Sequence, residues 1–245
     1  MAGHSKWANI KHRKGAQDVK RAQTFAKISK EIMVAVNLGG PDPQANPTLR
    51  NAISKARAAS MPKKNIENAI QKASGSGAGK NYKEFVYGAN VNGVAFLIIC
   101  LADNANRVSS SIQSYFNKAN GSVVSSSAVS YIFERKGLLE FARSANQSDD
   151  QWMLNSLESG AQDFEVGPES YFVETSPQDF QAVKTALEKR GINEWMSAEV
   201  TFLPNLEVKL PPEKARKILS LVEKIEADED VQAVYHNLDP ASLEE

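Results

Sequence analysis

The sequence predicts an α+β multidomain chain: an N-terminal all-α helical domain followed by two α+β domains, the third ferredoxin-like and inserted into the second. Three observations predict it. Apolar residues recur with helical spacing up to about residue 73 and with strand spacing from residue 82 onward. The stretch Ser74-Gly-Ser-Gly-Ala-Gly79 separates the two regimes and has the composition of a linker. After Gly137 the pattern runs strand, helix, strand, strand, helix, strand, an order that closes on itself as a ferredoxin-like unit. The resulting domains are 1–78, 81–135 with 204–240, and 136–203.

Each element has a local cause. A first helix is expected from about Asp18 to Val36, because Phe25, Ile28, Ile32 and Val36 fall on one stripe. Lys20, Lys27 and Lys30 then fall on the opposite side. Gly39-Gly-Pro-Asp-Pro43 stops that helix. Asn46 before Pro47 reads as an N-cap with proline at the first helical position, opening a helix to about Ala59. A third short helix follows Ser60-Met-Pro62 and runs to Ala73. Tyr82–Gly88 and Gly93–Leu101 read as a strand pair, the second wholly apolar. A helix is expected over Asn106–Ala119, then short strands at Ser122–Ser125 and Ala128–Glu134. The inserted unit comprises strands Leu138–Phe141, Gln162–Val166, Ser170–Glu174 and Trp195–Phe202, with helices Asp149–Ser159 and Gln178–Arg190. Helix Glu213–Ala227 and strand Val231–Tyr235 remain, and they are expected to complete the sheet of the middle domain.

Charge carries the functional signal. The formal net charge is zero, but residues 1–80 hold fifteen Lys and Arg against Asp18, Glu31, Asp42 and Glu67, a balance of +11. The other fourteen bases face twenty-five acids in residues 81–245, a balance of −11. A cationic head on an anionic body suits a module that meets a polyanion while the rest stays dissolved. The plain alternative is a solvated charged surface.

No catalytic constellation stands out in the sequence. The single cysteine, Cys100, excludes an internal disulfide and lies in the most apolar run of the chain, Gly93–Ala102, as a core thiol does. That run is too short to span a bilayer. His4, His12 and His236 offer no ligand spacing for a metal, and no phosphate loop, dinucleotide fingerprint or nucleophile elbow occurs. Asp228-Glu-Asp230 and Asp149-Asp150 read as exposed runs at helix ends. A non-enzymatic protein without cofactor or metal, without membrane attachment and resident in a reducing cytoplasm is expected. The oligomeric state is left open.

The head supplies binding chemistry instead. Lys6, Lys11, Arg13, Lys14, Lys20, Arg21 and Lys27 occupy an arm and the helix it enters, enough cations to track a phosphate backbone. Trp7 and His12 interleave with them and are placed either to stack on an exposed base or, for Trp7, to anchor the arm on the helical core. Arg50, Arg57, Lys63 and Lys64 either extend that surface or are solvated. No helix face combines Asn, Gln and Arg for base reading, so readout of backbone and shape is expected. DNA and ribosomal RNA both satisfy this reading. A third reading makes the acidic body a scaffold for a basic protein.

The residues also resemble a known family. Met1-Ala-Gly-His-Ser-Lys-Trp-Ala-Asn-Ile-Lys-His-Arg-Lys14 is similar to the opening of the YebC/PmpR family. Gly39–Pro43, Asn46-Pro47, Lys55-Ala-Arg57, Met61-Pro-Lys63, Asp103-Asn104, Asn106-Arg107, Arg135-Lys-Gly137, Asp230-Val-Gln232 and Val234-Tyr235 continue the resemblance over essentially the whole chain. It implies three domains and no enzymatic activity. Members are described as probable transcriptional regulators that bind DNA. Others are ribosome-associated factors that help translation through stretches such as polyproline, and mitochondrial relatives are translational activators. The chain departs from the family's glycine-rich pattern at Tyr87–Gly93 and Gly121–Ala128.

Overall fold

The computed structural model describes residues 21–76, 81–143 and 148–243, with residues 21 and 76 described by their backbone alone. It is a mixed α+β fold containing two four-stranded antiparallel sheets among the described residues. Helices α1 (Arg21–Gly39), α2 (Pro47–Ala58) and α3 (Lys63–Ser76) come first. Ile28, Ile32, Leu49, Ala56, Met61 and Ile66 close a core made only of residues from these helices and their connections.

Local chemistry sets the helix ends. Gly40 takes a left-handed φ of +84°, and its amide returns to the Val36 carbonyl at 2.8 Å, which terminates α1. Asn46 is 3 % exposed and works in both directions. Its Oδ1 accepts from the Leu49 amide at 3.0 Å, capping α2, while its Nδ2 donates to the Ala35 and Gly40 carbonyls at 2.8 and 2.9 Å. One amide therefore fixes the turn and both flanking helices.

The first sheet is built from β1 (Lys83–Val91), β2 (Val94–Ala102), β3 (Ser122–Val124) and β8 (Val231–His236), in the order β3-β1-β2-β8. β1 runs three residues beyond the expected Gly88. Asn92 and Gly93, with φ of +54° and +85°, form the two-residue hairpin turn between it and β2. Helices α4 (Ala105–Lys118) and α8 (Pro212–Glu226) cover one face, where Phe96, Ile98, Val108, Ile112, Phe116, Ile218 and Ile225 share a core. Cys100 belongs to that core, fully buried. Burial, with Asp228 and Asp230 nearby, pushes its thiol up to about 12, so it stays protonated and inert.

The second sheet holds β4 (Phe133–Ala142), β5 (Asp163–Val166), β6 (Ser170–Thr175) and β7 (Ser197–Pro204) in the order β5-β6-β4-β7, with helices α6 (Asp149–Glu158) and α7 (Phe180–Lys189). Phe141 centres its core, with ring centroids 5.0 Å from Trp152, 5.2 Å from Tyr171 and 5.8 Å from Trp195. The strand expected over Ala128–Glu134 does not form. Its first residues make the short helix α5 (Ser127–Ser130), and Phe133 instead starts β4, which continues through Lys136-Gly137. Gly137 does not break β4, because the missing side chain is what its place requires. A Cβ there would overlap Thr175 Oγ1 and lie 2.7 Å from Phe180 Cδ2.

Residues Tyr131–Leu206 form one compact unit; the described residues up to Ser130, with those from Glu207 onward, form the other. The helices α1–α3 fall in the same unit as the first sheet. Among the described residues, no helix is long and apolar enough to cross a membrane.

Candidate nucleic-acid interface

The cationic face of the head is only partly visible. Lys6, Trp7, Lys11, His12, Arg13, Lys14 and Lys20 lie outside the described residues, and Arg21 is placed by its backbone as the first residue of α1. Arg50, Arg57, Lys63 and Lys64 are exposed on α2 and α3. The Arg50 guanidinium donates to the Pro43 and Gln44 carbonyls at 2.9 and 3.1 Å, so part of its capacity is spent locally. Lys55 pairs with Glu31 at 2.6 Å, bridging α2 and α1.

Among the residues of the arm and the helix it enters, Lys27 is the one whose side chain is described, and it turns toward the body. Its Nζ donates to the Glu226 carbonyl at 2.8 Å. That carbonyl ends α8, where unpaired carbonyls and the helix dipole favour a cation. Lys30, expected on the same outward face, turns the same way. It donates to the Glu229 carbonyl at 2.8 Å and pairs with Asp230 Oδ1 at 3.0 Å. Its ammonium also lies 5.4 Å from the Tyr82 ring centroid. The helix stripe was read correctly, but the side opposite it meets the body rather than solvent.

Asp230 is the centre of this contact, and it corrects the reading of Asp228-Glu-Asp230 as an exposed run. It is only 9 % exposed, and its second oxygen accepts from Arg107, Nε at 2.9 Å and Nη2 at 2.8 Å. Arg107 also reaches Asp103, one turn earlier, at 2.9 Å. Burial pushes the Asp230 carboxyl up, but hydrogen bonds and charge from Lys30 and Arg107 outweigh it and hold the group below the ordinary aspartate value. Asp228 is engaged too, accepting from the Tyr115 hydroxyl at 3.1 Å. Only the Asp103–Arg107 spacing was readable locally as an i,i+4 pair. Lys30 and Asp230 are 200 residues apart and carry no local signal.

Among the described residues, no group of three or more His, Cys, Asp and Glu is placed to hold a metal ion. The cations reach carbonyls and carboxylates at full hydrogen-bond distance, the chemistry by which they also hold phosphate oxygens.

Comparison with known proteins gives a consistent result. The profile of the TACO1/YebC N-terminal domain matches residues 5–76, and that of the TACO1/YebC second and third domain matches residues 82–238. A "Probable transcriptional regulatory protein" of Geobacillus thermodenitrificans is 47 % identical over 247 residues, covering 100 % of both chains. One from Mesomycoplasma hyopneumoniae is 47 % identical over 240 residues, covering 97 % of this chain and 99 % of its own. The crystal structure of the conserved hypothetical protein Aq1575 from Aquifex aeolicus superposes with a TM-score of 0.77 at 37 % identity, over 91 % of each chain.

Proposed function

Because the chain belongs to the TACO1/YebC family, whose bacterial relatives carry the name of transcriptional regulators, we propose that it is a non-enzymatic transcriptional regulator that binds DNA through its basic N-terminal head. The observation that carries this reading is the charge split, +11 over residues 1–80 against −11 over the rest. Contacts run from Lys6, Lys11, Arg13, Lys14, Lys20 and Arg21 to phosphates, with Trp7 and His12 against bases or sugar. Arg50, Arg57, Lys63 and Lys64 extend the track on α2 and α3. The acidic units are then organised as a middle domain and an inserted ferredoxin-like domain, held away from the polyanion by their own charge and free to contact other proteins.

Ribosomal RNA is a second reading, favoured by one observation. The described head presents exposed Arg and Lys on α2 and α3, and phosphate contacts alone do not select a DNA sequence. In that case the chain is a ribosome-associated translation factor.

Cross-linking in living cells separates the two. Chromosomal fragments recovered on the head support transcriptional control. Dominance of ribosomal RNA makes translation the primary role, and recovery of neither polymer removes both readings.

A further inference from the structure

The head and the first sheet meet without sharing a core. The apolar cluster of α1–α3 contains only their own residues and connections, and the cluster under α4 and α8 contains none of them. Polar contacts from α1 to the turn between α8 and β8 span the seam. Lys27 holds the Glu226 carbonyl, and Lys30 holds the Glu229 carbonyl and Asp230.

Two further features adjoin this seam. Gln23 Oε1, one turn before Lys27, and both amide atoms of Gln232, two residues past Asp230, are buried without a hydrogen-bond partner among the described residues. Buried amides left unpaired are costly, and an opening that exposes them returns them to water. A cavity of about 650 Å³ also lies beside the seam, between Val34 and Leu38 of α1 and Lys83 and Leu101 of the sheet. Leu38 is 79 % exposed there. An interface that is permanent fills such a gap with side chains.

We propose that Lys27 and Lys30 form a phosphate-binding pair that the α8–β8 turn masks, and that nucleic acid engages the pair by displacing Asp230 and the two carbonyls. The inference rests on the nucleic-acid reading of the head and adds a guarded face to it. Asp230 stands in for a phosphate: it presents an anionic oxygen to Lys30, and its other oxygen is retained by Arg107 when the head leaves. The docked head is then the resting state. Occupancy by a polyanion selects the undocked one in proportion to the difference in affinity between the two.

The experiment titrates the full chain with a short duplex DNA, and in parallel with a ribosomal RNA fragment, across a salt series. The double variant Lys27→Gln/Lys30→Gln is expected to flatten the slope of log K against log salt on DNA by about two. Asp230→Asn is expected to tighten binding by about three- to tenfold, since the competing anion is gone. Spin labels at Ser54→Cys and Gln113→Cys, read without nucleic acid, are expected to show a broader distance distribution in the Asp230→Asn background. A slope that Lys27→Gln/Lys30→Gln does not move, or an unchanged label distance in Asp230→Asn, overturns the inference while leaving the head as the binding module. Failure of the wild-type chain to retain either polymer sinks the nucleic-acid reading itself and this inference with it.

Discussion

The Asp230 carboxylate faces Lys30 on one side and Arg107 on the other, so one proton removes two ion pairs. Its folded value lies below that of a free aspartate. Its contribution is therefore fully present above the unfolded value and is lost as pH falls through the folded one. Asp230→Asn is expected to lower urea stability by about 1–3 kcal/mol at pH 6. Below about pH 4 that gap narrows as the wild-type carboxyl also protonates. A gap that stays constant as pH falls below about 4 assigns the loss to shape rather than charge. Asn46 makes a different demand, one acceptor and two donors from a single amide. Asn46→Ala is expected to cost about 2 kcal/mol by thermal or urea unfolding. Asn46→Asp restores only the cap and sets a carboxylate against two carbonyls, so it should be no better than alanine. Recovery by aspartate would show that the donor contacts contribute little. The cap was legible in Asn46-Pro47. The donor bonds were not, because they join residues brought together only when α1 and α2 pack.

At the scale of elements, what was legible follows from periodicity and punctuation. The apolar stripe of α1, the proline start of α2 and the βαββαβ order of the second sheet are written in spacing that one segment carries alone. β4 looks divided in the sequence, with one strand ending at Glu134 and the next starting at Leu138. The reason Gly137 lies inside a strand sits elsewhere, on Thr175 and Phe180. Gly137→Ala is expected to destabilise the unit of residues 131–206 by about 1–3 kcal/mol through overpacking. Thr175→Ala in that background should recover part of the loss by vacating the overlapping hydroxyl. Absence of any loss in Gly137→Ala would show that the neighbours yield freely. Lys27 and Lys30 illustrate the complementary failure. A helix face rich in lysine reads as solvent-facing, yet here it meets the carbonyl end of another helix.

Across the whole molecule the charge division, hidden by a net charge of zero, is read from the order of residues, and the role proposed for the head rests on it. What composition does not reveal is that the two signs also meet inside the protein. Lys27 and Lys30 approach the Glu226–Asp230 turn, so the body offers the head an internal anion. Attraction between a basic module and an acidic one is thereby put to use as docking, and salt weakens the docking and the polyanion contact together. The measurement that bears most directly on this account is the affinity of the full chain for duplex DNA and for ribosomal RNA when Lys11, Arg13 and Lys14 are all changed to Glu. The account predicts that binding to the favoured polymer is abolished while thermal unfolding of residues 82–240 is unchanged. Undiminished affinity in that variant would contradict it, because the anchorage would then lie outside the head's cationic arm.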